Sequence, residues 1–100
     1  MVNLFEYVPP EPGGENVGTL CERGGVRIER IVSNRAATGW YDQDEDEWVV
    51  LLQGEAELQL EESRVLLRRG DTLLIEARRR HRVLSTSEDA LWLTVFMPGG

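Results

Sequence analysis

The segment Glu55 to Glu61, "EAELQLE", alternates Ala56, Leu58 and Leu60 with Glu55, Glu57, Gln59 and Glu61. Successive side chains of an extended chain point to opposite faces, so this order makes a strand with one dry face and one wet face. Similar short segments follow one another along the chain: 26–33 "VRIERIVS", 47–53 "EWVVLLQ", 64–69 "RVLLRR", 71–77 "DTLLIEA", 81–87 "HRVLSTS" and 90–97 "ALWLTVFM". Gly, Ser, Asp or Glu interrupts them, with Gly54 and Gly70 as natural turn points, and no window carries a 3.6-residue apolar stripe. The chain therefore reads as all-β, an antiparallel sandwich or barrel. Pro9, Pro10, Pro12, Gly13 and Gly14 disfavour both helix and central strand. Residues 1–18 accordingly read as an irregular N-terminal arm, and 19–100 as one domain.

A length of 100 residues with 41% hydrophobic side chains closes a single modest core. The formal net charge of -7 repels phosphate backbones and anionic lipid surfaces, which argues against nucleic-acid and membrane partners. Cys21 is the only cysteine, so an intramolecular disulfide and a cysteine zinc site are excluded. It is expected as a small, at least half-buried hydrophobe. No basic start leads into an apolar signal core, and no run reaches the ~18 apolar residues of a membrane helix. A soluble, cytoplasmic protein is expected.

Directly before the apolar run of 47–53 stand five carboxylates in six residues: Asp42, Asp44, Glu45, Asp46 and Glu47. Six residues separate Glu47 from Gly54. In "GDTLLIEARRRHRVLS", five residues separate Gly70 from Glu76-Ala77-Arg78, and two more precede His81. These spacings resemble the two motifs of the cupins, small jelly-roll β-barrels. The first motif ends in His-any-His, three or four residues, Glu, six residues, Gly. The second runs Gly, five residues, Pro-any-Gly, two residues, His, three residues, Asn. With the four-residue spacer, Trp40 and Asp42 stand where the two histidines would be; with the three-residue spacer, Tyr41 and Gln43 do. Glu76, Arg78 and Ser85 replace the Pro, Gly and Asn of the second motif. The resemblance, over about Ala36 to Met97, is to a small single-domain cupin with a degenerate first metal motif.

The resemblance implies a cupin-type jelly-roll barrel in which Glu47 and His81 face one cavity. On that reading Asp42, Glu47 and His81 form a metal-ligand set suited to Mn, Fe, Ni or Zn, with Asp42 replacing a lost histidine. Trp40, Tyr41, Val49, Arg78 and Trp92 would line the ligand pocket. The plainer reading makes the acidic run a solvated turn and His81, the only histidine, a hydrogen-bonded structural residue. Arg78, Arg79, Arg80 and Arg82 would lie near the acidic run and neutralise it, needing no external phosphate. Two functions are expected from this pattern: binding of a small polar metabolite with a divalent metal held by Glu47 and His81, or a metal-free ligand-binding or dimeric scaffold protein. The fold hosts enzymes and non-enzymes, so it does not choose between them.

Strand 47–53 is apolar on both faces. If Glu47, Val49 and Leu51 point inward, Trp48, Val50 and Leu52 point outward and need a cover. The arm or a second subunit would supply it, and a two-fold homodimer is the expected assembly.

Overall fold

The computed structural model describes residues 1–99. Eight strands follow in order: β1 (Glu15–Arg23), β2 (Val26–Ser33), β3 (Glu45–Gln53), β4 (Glu55–Leu60), β5 (Ser63–Arg68), β6 (Thr72–Ile75), β7 (His81–Thr86) and β8 (Ala90–Pro98). They form a five-stranded antiparallel sheet of order β1-β2-β8-β3-β6 and a three-stranded one of order β5-β4-β7. Most neighbours within each sheet are distant in sequence, the wiring of a jelly roll. The expected strands are all present.

Alternation decides which face each strand buries. On β4, Ala56, Leu58 and Leu60 are 2–3% exposed, and they meet Val49, Leu51, Ile75 and Trp92 from the larger sheet. The chain passes from β3 in one sheet to β4 in the other through Gly54 alone. That corner requires glycine twice over. Its φ is +85°, and a Cβ there would stand 2.5 Å from Ser87 Oγ and 2.9 Å from Ala90 Cα.

Two expectations change. The first strand starts at Glu15, inside the stretch read as irregular, because Asn34 clamps the Pro/Gly run: Gly13 N–H donates to its carbonyl, its own N–H donates to Gly14, and its side-chain amide donates to the Pro10 carbonyl. Cys21 is exposed rather than half-buried, since it sits on the edge strand β1.

The outer face of the larger sheet carries the apolar row expected from strand 47–53. Trp48 pairs with Val95 and Leu74, and Val50 with Leu93. The arm covers one end of this face. Arg30 donates to the carbonyls of Asn3, Leu4 and Glu6, Tyr7 accepts from the Gln53 amide, and Val32 and Leu91 are buried. At the other end Leu74 stays 47% exposed.

The Gly54 corner makes a differential prediction. Gly54→Ala combines about 1 kcal/mol of backbone strain with roughly 1–3 kcal/mol of overpacking. Gly13→Ala, at φ +86° with nothing within 4 Å of its Cβ, bears the strain alone. Chemical denaturation is expected to rank Gly54→Ala well below Gly13→Ala; equal losses would refute the steric account.

Candidate functional site

Each carboxylate of the acidic run has a partner, and Asp42 and Asp44 share one. Asp42 and Asp44 pair with Arg78, at 3.1 and 2.8 Å. Glu45 binds Arg27 through two hydrogen bonds of 3.1 Å, and Asp46 accepts the Ala77 N–H at 2.7 Å. Only Glu47 turns wholly inward. The arginine cluster divides as well: within it Arg78 pairs with the run, while Arg80 and Arg82 each lie 4.5 Å from the Trp40 ring. Arg78 adopts φ +67°, the left-handed conformation, at the position where the second cupin motif has glycine. Its ion pairs with Asp42 and Asp44 hold it there.

A backbone bridge places the other site residues. Tyr41 N–H donates to the His81 carbonyl at 2.7 Å, and His81 N–H donates to the Tyr41 carbonyl at 3.1 Å. The two rings stack with centroids 5.5 Å apart. With Tyr41 fixed opposite His81, Tyr41, Gln43 and Glu47 line the cavity, and Trp40 and Asp42 lie outside it against arginines. The three-residue spacer therefore describes the geometry. Asp42, expected as a ligand, and Trp40 and Arg78, expected in the pocket, lie outside the cavity for this reason.

Glu47 and His81 form the polar centre. Their side chains are 12% and 6% exposed, with Glu47 Oε1 3.6 Å from His81 Nε2. Thr94 Oγ1 donates to Glu47 Oε2 at 2.8 Å, and the Gln43 amide donates to Oε1 at 3.3 Å. His81 Nδ1 lies 2.9 Å from the Arg79 carbonyl, which only accepts, so Nδ1 carries a proton. A neutral imidazole would then turn its Nε2 lone pair toward a carboxylate. Burial pulls the His81 pKa down, but the Glu47 carboxylate and the Arg79 carbonyl outweigh it and raise the pKa above its ordinary value. The pair's contribution to stability is accordingly full below the unfolded imidazole's pKa of about 6.5, and it is lost as pH rises through the higher folded value.

These groups line a cavity of about 100 Å³. Its apolar walls include Ile31, Val49, Leu58, Ile75 and Trp92, and Tyr41, 47% exposed, stands at its edge. Of the residues singled out from the sequence, Tyr41, Glu47, Val49, His81 and Trp92 meet here. Glu15 also lines the cavity, and was not anticipated because it lies in the supposed arm. Glu15 Oε2 accepts from Ser33 Oγ at 2.6 Å, and Ser33 Oγ accepts the Trp92 indole N–H at 3.1 Å. Burial first, then the charges of Glu15 and Glu47, raise the Tyr41 pKa and keep its phenol protonated.

The donors present do not fit the expected metal set. With Asp42 held outside by Arg78, Glu47 and His81 remain, and the other polar groups lining the cavity are Glu15, Thr38, the Tyr41 phenol and the Gln43 amide. Among the described residues no group of three or more His, Cys, Asp or Glu side chains is arranged to hold an ion. Mn, Fe, Ni and Zn sites need three or more such donors converging on one point, which these side chains do not do.

Eight antiparallel strands enclosing a small cavity, with one motif at each side of it, define a jelly-roll protein of the cupin type. Residues 31–96 match the family model for the cupin domain. A protein of Ralstonia eutropha JMP134, provisionally named a mannose-6-phosphate isomerase, is 39% identical over 99% of this chain and 98% of its own, with a TM-score of 0.91. KdgF from a Halomonas species is 20% identical over 95% of this chain and 89% of its own, with a TM-score of 0.80. A conserved Streptococcus pyogenes protein of unknown function is 21% identical over 100% and 89%, with a TM-score of 0.82. These last two share the fold alone. No curated protein matches. The chain belongs to the cupin family. Among the described residues, no helix is long and apolar enough to cross a membrane.

Proposed function

We propose that the protein binds a small polar metabolite in the inner cavity through the Glu47–His81 pair, without a divalent metal. The observation that carries this reading is the Glu47–His81 pair itself: two titratable side chains only 12% and 6% exposed stand 3.6 Å apart and line the same cavity. A few convergent polar groups with a perturbed titratable residue in a mostly apolar pocket favour a ligand site. The same pair is an acid–base couple, able to take up or give a proton on a bound ligand.

The lining bears on the ligand. The walls are mostly apolar, and no arginine lines them to meet a phosphate. The isomerase name of the Ralstonia relative therefore finds no phosphate-binding counterpart in these walls.

The reading is tested on protein purified without a histidine tag. Elemental analysis is expected to find only substoichiometric transition metal, and a small-metabolite thermal-shift screen to find ligands that stabilise the wild type but not His81→Phe. One metal per chain, lost in Glu47→Gln, would restore the metal-centre reading in which Glu47 and His81 hold Mn, Fe, Ni or Zn.

We also infer a homodimer through the outer face of the larger sheet. The arm protects Val32 and Leu91, while Leu74 beside Trp48 remains open. Burying such side chains contributes roughly 1.5–3 kcal/mol each. Sedimentation of the wild type at micromolar concentration is expected to show a dimer, and Trp48→Glu to give monomer. A monomeric wild type would rule the assembly out.

A further inference from the structure

The Glu47 and His81 side chains are 12% and 6% exposed, so a ligand meets them only after part of the cavity wall moves aside. Most of the lining residues sit in strands, each held by a ladder to its neighbours. Thr38, Tyr41 and Gln43 do not. They come from the connection between β2 and β3, residues 34–44, which lies as a strap along β7.

The strap is anchored unequally. Near its start Ala36 is buried and its N–H donates to Thr86 Oγ1, while Thr38 exchanges hydrogen bonds with the Val83 backbone. Gly39 follows, exposed, with nothing within 4 Å of the place a Cβ would take. Beyond it the inner hold is the Tyr41–His81 bridge, and the outer hold is the packing of Trp40 on Arg80 and Arg82. The end is fastened by Arg78. Its N–H donates to the Gln43 carbonyl at 2.7 Å, and its guanidinium reaches Asp42 and Asp44 at 3.1 and 2.8 Å. The side chains of Arg78, Asp42 and Asp44 are 65%, 43% and 87% exposed, and ion pairs this open to water are weak and screened by salt. Arg78 also bears φ +67°, which a residue with a Cβ adopts only at a cost. A strained residue kept in place by weak contacts favours a joint that opens over one that only stiffens the fold.

We propose that residues 39–44 are a gate to the cavity, with Arg78 as its clasp and Gly39 as its hinge. Release of Asp42 and Asp44 lets Tyr41 and Gln43 swing away, and Glu47 and His81 then open to solvent. Ionic strength sets how often this happens. As an entrance, the gate rests on the reading of the cavity as a metabolite site. Arg78 is a positioning residue: it lies outside the cavity and acts through Gln43 and Tyr41.

Amide hydrogen exchange on the full chain, without ligand, reads the gate directly. The reporters are the Tyr41 N–H, which donates to the His81 carbonyl, and the residue-78 N–H, which donates to the Gln43 carbonyl. Amides of the β2–β8 ladder are the reference. Between about 0.01 M and about 1 M sodium chloride the screening length falls from ~30 Å to ~3 Å. Wild-type reporters are expected to lose roughly two- to fivefold in protection over this range while the ladder amides hold theirs. Arg78→Gly removes the clasp and accepts the left-handed φ without strain; its reporters should exchange faster than wild type at low salt and ignore added salt. Arg78→Lys, a single charge without the planar fork, should fall between the two. Wild-type protection independent of salt, reporters in Arg78→Gly as protected as in wild type or more so, or an equal loss at the ladder amides overturns the gate. No ligand enters this experiment, so a cavity that binds no metabolite leaves its outcome unaltered, and the two readings fail separately.

Discussion

The two-way backbone pairing of Tyr41 with His81 decides what the cavity contains. It ties the segment leading into β3, in one sheet, to the first residue of β7, in the other. The neighbouring side chains divide around that fixed point. Tyr41, Gln43 and Glu47 go in, while Trp40 and Asp42 go out to meet Arg82, Arg80 and Arg78. A slip of one residue at this bridge would exchange the two sets, placing an aspartate and an indole in the cavity and a tyrosine and a glutamine outside.

Such a register matters because a buried charge is expensive without a partner. Glu47 is tolerated at 12% exposure because Thr94 and Gln43 donate to it and His81 stands opposite. The rest of the acidic run is kept out of the core by partners at its margins: Arg78 for Asp42 and Asp44, Arg27 for Glu45, and the Ala77 N–H for Asp46. The run is thus tied down by partners rather than left as a free solvated turn. It is a series of separate attachments, one of which enters the cavity.

The strands were legible in the sequence because each buries one face: the alternation in 55–60 is the same alternation that buries Ala56, Leu58 and Leu60. Glu47 and His81 were legible through motif spacing. The neighbours of Glu47 were not, since two spacer lengths were open and only the Tyr41 bridge selects one. Asp42 attracted the ligand role by its chemistry, which says nothing of an arginine at left-handed φ nearby. Glu15 was hidden for another reason. It opens an edge strand whose residues are mostly exposed, directly after a Pro/Gly run, so it carries neither apolar periodicity nor a motif.

The central claim is that the Glu47 carboxylate raises the pKa of the buried imidazole at position 81. Because the chain has one histidine, its imidazole C2–H gives one isolated proton resonance to follow against pH. The account predicts a titration midpoint above the ordinary value of about 6.5 in the wild type, and a lower midpoint in Glu47→Gln. A wild-type midpoint at or below that value, or one unmoved by Glu47→Gln, would contradict it.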